Sequence, residues 1–171
     1  MKMLGSFDLV VGERSYFSTT KEGIPFESHP FSGSRRRELR GIGTTFEDNI
    51  ILHSHVASTP VAFTKERFLK TGGIDESMKA AYDWDLVLKL IYQEGDISKP
   101  GYAEEVHLNY RERPNSLSNV HRESQFREGE KALNETFKRM GVENLQAVFE
   151  GRVDPGYLRW RHDGRGENTT R

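Results

Sequence analysis

The sequence predicts an α/β fold in which short strands alternate with helices and the chain closes on a long helix and a β-hairpin. Three observations predict it. Phe7-Asp8-Leu9-Val10-Val11-Gly12 is an apolar run ended by glycine, and Val106, Leu108 and Tyr110 alternate with His107, Asn109 and Arg111, as strands do. Between them, residues 63–91 carry two helical patterns separated by a glycine pair. After them, an amphipathic pattern from Ser118 or Asn119 to Met140 leads to two short strand patterns joined by Asp154-Pro155-Gly156, a turn sequence.

With 171 residues the chain is long enough for one domain with a core of its own. Charged residues make up 30% of it, yet the formal net charge is −1, which leaves no global field to attract nucleic acid or an anionic membrane. There is no cysteine, so disulfides and thiolate metal sites are excluded. No apolar run approaches the roughly 18 residues of a membrane helix, and the first residues show no signal-peptide pattern. The expectation is a cytoplasmic protein with no membrane span and no nucleic-acid partner.

Taken in order, residues 7–12 form a buried strand that Tyr16-Phe17 continues past a bend. Residues 21–40, rich in Gly, Pro, Ser and Arg, read as a loop. Its cluster Ser34-Arg35-Arg36-Arg37, with Arg40, either meets phosphate or forms a solvated face, and it lacks the interleaved aromatics of a nucleic-acid surface. Residues 46–55 fit helix or strand. On a strand His53 and His55 share a face, but no third metal ligand stands near them.

Residues 63–91 are the most informative stretch. Thr64 is the expected N-cap of a helix over residues 65–70, with Phe68-Leu69 as its buried pair and Arg67 outside. Gly72-Gly73 stops that helix, since glycine takes positive φ without steric cost. A second helix starts at Asp83-Trp84-Asp85 and buries Leu86, Val87, Leu90 and Ile91 at helical spacing. Two carboxylates thus stand in its first turn beside a tryptophan. Asp is favoured at helix starts, where it accepts from unpaired amides and meets the positive dipole end, so the pair reads either as caps or as a site.

Gly95 and Asp96 mark a turn, and residues 97–111 look extended with a break at Pro100-Gly101. The long helix is expected to bury Phe126, Leu133, Phe137 and Met140, and Gly141 stops it. Residues 145–149 and 157–161 give the hairpin, and the polar residues 163–171 read as disordered. Asn134-Glu135-Thr136 and Asn168-Thr169-Thr170 match the glycosylation sequon, a triplet that also arises by chance.

The order of features around residue 83 resembles the acceptor-side half of family-two glycosyltransferases, inverting enzymes of the GT-A fold. That family carries an aromatic-basic helix, a Gly-Gly-Phe-Asp-Glu turn and a Glu-Asp-x-Asp-Leu helix. Here the turn is Gly72-Gly73-Ile74-Asp75-Glu76 and the helix start is Tyr82-Asp83-Trp84-Asp85-Leu86, with Tyr82 where Glu or Gln is common. Thr59-Pro60-Val61-Ala62-Phe63 resembles the segment that lines the acceptor pocket, and Asp8-Leu9-Val10-Val11-Gly12 the strand that follows the donor half. Tyr110-Arg111-Glu112-Arg113-Pro114-Asn115-Ser116-Leu117-Ser118 resembles a segment in which a histidine completes a metal shell, but Arg113 holds that place.

The resemblance implies a partial GT-A-type, Rossmann-like domain over residues 1–118, with a mixed sheet flanked by helices. Residues 119–162 then match the helix-plus-hairpin connector of chains carrying two such modules, ahead of the tail 163–171. Asp83 falls on the catalytic-base position, with Trp84, Asp85, Gly72 and Gly73 on the substrate side and Arg111 and Arg113 facing the donor diphosphate. The implied partners are a nucleotide-sugar donor and a glycan acceptor, with a divalent metal (Mg or Mn) in the complete enzyme. The donor half and its Asp-x-Asp motif belong before Phe7, where six residues stand. The expectation is therefore a chain inactive by itself, completed by a donor-binding domain on the same parent chain or another polypeptide. Two alternatives remain: a non-catalytic saccharide-binding or assembly module whose carboxylates are caps, and a phosphate binder using Arg35, Arg36, Arg37 and Arg40.

Overall fold

Successive apolar residues, as opposed to alternate ones, mark a strand covered on both faces, and Leu9, Val10 and Val11 are all buried. They open β1 (Leu9–Thr19), the middle strand of the sheet. The computed structural model describes residues 7–19, 25–30, 60–112, 120–149 and 159–162. One edge of β1 pairs in parallel with β6 (Gly101–Glu112). Its other edge is shared by β3 (Val61–Phe63), antiparallel to residues 9–11, and β2 (Pro25–Pro30), antiparallel to residues 15–19. The sheet is therefore mixed.

Two expectations change here. β1 runs unbroken through Tyr16 and Phe17, and the irregularity appears as register shifts opposite β6 on either side of Glu13. Part of the expected loop 21–40 is β2, whose two prolines sit at its ends, where a missing N–H is tolerated. The Arg35, Arg36, Arg37 and Arg40 cluster, the His53 and His55 pair, Arg113, Ser118 and Asn119 lie outside the described residues.

Beyond β3, Thr64 caps α1 (Lys65–Lys70), its Oγ1 accepting the Arg67 N–H at 3.2 Å. Gly72 and Gly73 follow at φ 75° and 86°, the left-handed turn expected of them. α2 (Tyr82–Ile91) runs into a two-residue hairpin of β4 (Tyr92–Gln93) and β5 (Asp96–Ile97), and then into β6. α3 (Arg122–Arg139) starts after His121, which makes no side-chain cap bond, and ends at Gly141 with φ 71°. β7 (Leu145–Val148) and β8 (Arg159–His162) form the antiparallel hairpin that the turn sequence predicts.

One core joins these elements. Leu9 and Val11 of β1, Trp84, Val87, Leu88, Leu90 and Ile91 of α2, Ala132, Leu133 and Phe137 of α3, and Ala147 of β7 belong to the same buried cluster. Leu88 is fully buried, whereas Leu86, expected inside, packs only against the rim. Where α2 meets α3, the indole of Trp84 lies over Gly129, and a Cβ there would come within 2.6 Å of Trp84 Cζ3. α3 also brackets β7: Asn134 Nδ2 donates to Ala147 O at 3.0 Å, and its Oδ1 accepts from Ala147 N at 2.8 Å. That occupies the amide nitrogen which the sequon at residue 134 would offer to a glycan.

α1 reverses its expected orientation. Arg67 is 4% exposed and Leu69 64% exposed. The cause lies 23 residues on: Arg67 Nε donates to Leu90 O at 2.7 Å and Nη2 to Ile91 O at 3.2 Å, while Nη1 pairs with Asp96. The last carbonyls of a helix lack intrahelical partners and carry its negative dipole end, so a guanidinium satisfies both needs. Gln93 Nε2 donates in return to Arg67 O at 3.4 Å, tying the hairpin to α1.

Replacing Arg67 with Met, which keeps the volume and removes the donors, is expected to destabilise the fold by about 2–4 kcal/mol. A urea midpoint that falls with an unchanged slope is the readout; a shift under about 0.5 kcal/mol would show the guanidinium to be incidental. Gly129→Ala is expected to cost about 1–2 kcal/mol, because crowding Trp84 outweighs the roughly 1 kcal/mol gained in helix propensity. Calorimetric melting decides the sign.

Candidate functional site

The segment from the glycine turn to the first turn of α2 carries the residues singled out by the sequence. Its first anchor is Asp75. Oδ1 accepts from Ser77 N at 3.0 Å, and Oδ2 accepts from Lys131 Nζ of α3 at 2.9 Å. The Ser77 hydroxyl, then the Lys131 ammonium, hold the Asp75 carboxyl well below the usual carboxylate range, and Asp75 raises Lys131 in turn.

The second anchor is Glu128 of α3. Its Oε1 accepts from Lys79 N at 2.9 Å, and its Oε2 from Ala80 N at 2.8 Å and Ala81 N at 2.9 Å. Ala81 is the N-cap residue of α2 and offers no capping side chain; the carboxylate from α3 instead holds the Ala81 amide and the two amides before it. Burial alone would raise the Glu128 carboxyl, but the three backbone donors and the charge of Lys79 outweigh it and the net shift is downward.

Asp83 follows at the second helical position, not at the N-cap. It is half-buried, and its Oδ1 accepts the Trp84 N–H at 2.8 Å. Each helical residue turns about 100° from the last, so neighbours in sequence meet different surroundings. Trp84 is 4% exposed and lies in the core against Gly129, and Asp85 is 2% exposed. Asp85 Oδ2 lies 2.6 Å from Lys89 Nζ, an ion pair without the alignment of a hydrogen bond. The Asp85 charge also reaches Arg139. Burial lowers that guanidinium, and Asp85 and Glu135 oppose the shift. Arg139 itself donates to Tyr92 O at 3.0 Å and to Thr136 Oγ1 at 2.7 Å.

The structure thus keeps Asp83 near solvent and takes Trp84 and Asp85 inside. Gly72 has open space around it, while a Cβ at Gly73 would touch the Phe68 ring at 3.8 Å. Arg111 sits on β6 opposite Phe17, with its backbone alone described. Sequence reasoning noted Tyr82 only as a departure from the motif and did not see in it an exposed aromatic beside Asp83. It also missed Glu128 and Lys131, which read locally as part of a solvated helix face because their partners lie 47 to 56 residues away.

Among the described residues no three His, Cys, Asp or Glu side chains are grouped so as to hold a metal ion, so the metal implied by the resemblance has no ligand set there. Nor is any described helix long and apolar enough to cross a membrane. No protein-family model matches the chain, and no curated protein does.

The Glu128 cap has a pH signature. A carboxyl depressed in the folded state contributes stability that is present above its unfolded pKa and lost as the pH falls through the folded value. Wild type and Glu128→Gln are therefore expected to differ most above the ordinary glutamate value of 4.5 and to converge as acid is added below it. Urea titrations at several pH values test this, and a gap that stays constant down to about pH 2 would contradict it.

Proposed function

We propose that this chain is the acceptor-side part of an inverting glycosyltransferase, with Asp83 as the general base. Asp83 takes the proton from an acceptor hydroxyl while that oxygen bonds to the anomeric carbon of a nucleotide sugar. The bond from that carbon to the diphosphate oxygen breaks on the opposite face, and the nucleoside diphosphate leaves with its electron pair. The observation that carries this reading is the placement of three adjacent residues. In the order Gly-Gly-x-Asp-Glu then Asp-x-Asp-Leu, Asp83 alone of the Asp-Trp-Asp triplet stays outside the core.

Under this reading the supporting roles are redistributed. Trp84 braces α2 against α3, so the aromatic surface for an acceptor sugar falls to Tyr82. Asp85 holds its charge inside, paired to Lys89. Gly72 and Gly73 let an acceptor approach the backbone at positive φ. The diphosphate side, with Arg111 and Arg113, belongs to this reading together with a donor-binding part on the same or another polypeptide. Charge neutralisation by a divalent metal would belong to that part.

In the enzyme assembled with its donor-binding part, Asp83→Asn is expected to lower kcat by at least about 100-fold. Donor affinity, followed by calorimetric titration of the nucleotide sugar, should stay unchanged. Transfer within about threefold of wild type would remove the base assignment.

A further inference from the structure

We infer that Glu128 is a positioning residue for Asp83: from α3 it grips the three backbone amides that lead into α2 and so sets where the first turn of that helix points. This rests on the sugar-transfer reading for what Asp83 does, but the grip itself is visible in the fold. Ordinary helix capping is local, from a Ser, Thr, Asp or Asn at the helix start. Here the cap residue is Ala81, and the acceptor arrives from 47 residues further along the chain. One carboxylate accepts the Lys79, Ala80 and Ala81 N–H groups at 2.8 to 2.9 Å, which are charge-assisted bonds at the positive end of the helix.

The neighbours of Glu128 extend the grip. Lys131, on the adjacent turn of α3, holds Asp75, so the linker is tied down at its start and at its end. Gly129 lets α3 approach Trp84, the residue immediately after Asp83, closely enough that a single added carbon would collide. Asp83 therefore lies between a bonded N-cap and a wedged indole, with its own Oδ1 on the Trp84 amide. None of Glu128, Lys131 and Gly129 touches an acceptor in this reading. Their effect on chemistry passes through the direction of the first turn, and a base displaced by about 1 Å loses on the order of 100-fold in rate.

The test compares wild type with Glu128→Gln and Glu128→Asp, and uses Glu135→Gln as a control on the same helix, where an exposed pair with Lys138 at 2.7 Å is lost. Amide hydrogen exchange across residues 79–85 is read on each folded protein, and steady-state transfer on the assembled enzyme. Glu128→Gln is expected to speed exchange of the Lys79, Ala80 and Ala81 amides by about tenfold or more and to lower kcat by about 10- to 100-fold with donor KM unchanged. Glu128→Asp keeps the charge but is shorter by one methylene, so it should fall between, and the control should match wild type. Unchanged exchange at 79–81 would overturn the inference, and so would faster exchange with kcat intact. Faster exchange in a protein whose wild type transfers no sugar, with the donor part present, would count against the transfer reading while the grip stands.

Discussion

Helix α2 is held at its two ends by charged side chains of other elements, each matched in sign to the end it meets. At the carboxyl end the buried guanidinium of Arg67 takes the Leu90 and Ile91 carbonyls, and at the amino end Glu128 takes the Lys79, Ala80 and Ala81 amides. A short helix in water is marginal because its terminal groups go unsatisfied and its dipole is uncompensated. Tertiary contacts answer part of both deficits here: Arg67 takes two terminal carbonyls, and Glu128 takes the N-cap amide and sets a negative charge at the positive dipole end. Arg67 belongs to α1 and Glu128 to α3, so the same bonds also fix where those helices lie relative to α2.

The fate of Asp83, Trp84 and Asp85 follows from that restraint. With both ends held and Trp84 wedged over Gly129, the helix has one rotation about its axis that keeps Val87, Leu88, Leu90 and Ile91 in the core. The same rotation puts Asp85 inside, where Lys89 pairs with it, and leaves Tyr82 and Asp83 toward solvent. Two carboxylates that look alike in sequence thus have different surroundings. One sits buried beside Lys89, and the other is half-buried at the start of the helix.

The helices were legible where their signals are local. Thr64 before a basic run, a glycine pair after it, apolar residues at helical spacing, and Gly141 after the long helix place α1, α2 and α3 to within a few residues. The strand alternation and the Asp-Pro-Gly turn likewise announced β6 and the terminal hairpin. What escaped the sequence depends on distant partners. Arg67 reads as a surface residue until the carbonyls of Leu90 and Ile91 are brought to it, and Leu69 reads as core until Arg67 takes the inner face. β2 hides in a Gly-, Pro- and Ser-rich stretch because its pairing with β1 supplies the order that its composition does not. Within the candidate site, a motif points to Asp83. Glu128 and Lys131 have no motif, since a carboxylate and an ammonium on a polar helix face are what solvent exposure also produces.

The most direct test of a helix gripped at both ends is the native-state hydrogen-exchange profile of α2 in the wild-type protein. A helix held only by its apolar face frays from its termini, so terminal amides exchange through small openings long before the whole fold opens. The grip predicts that the amides from Asp85 to Tyr92 exchange at one common free energy, that of global unfolding, with no weakening toward the Arg67 end. Terminal amides of α2 exchanging orders of magnitude faster than its centre would contradict it.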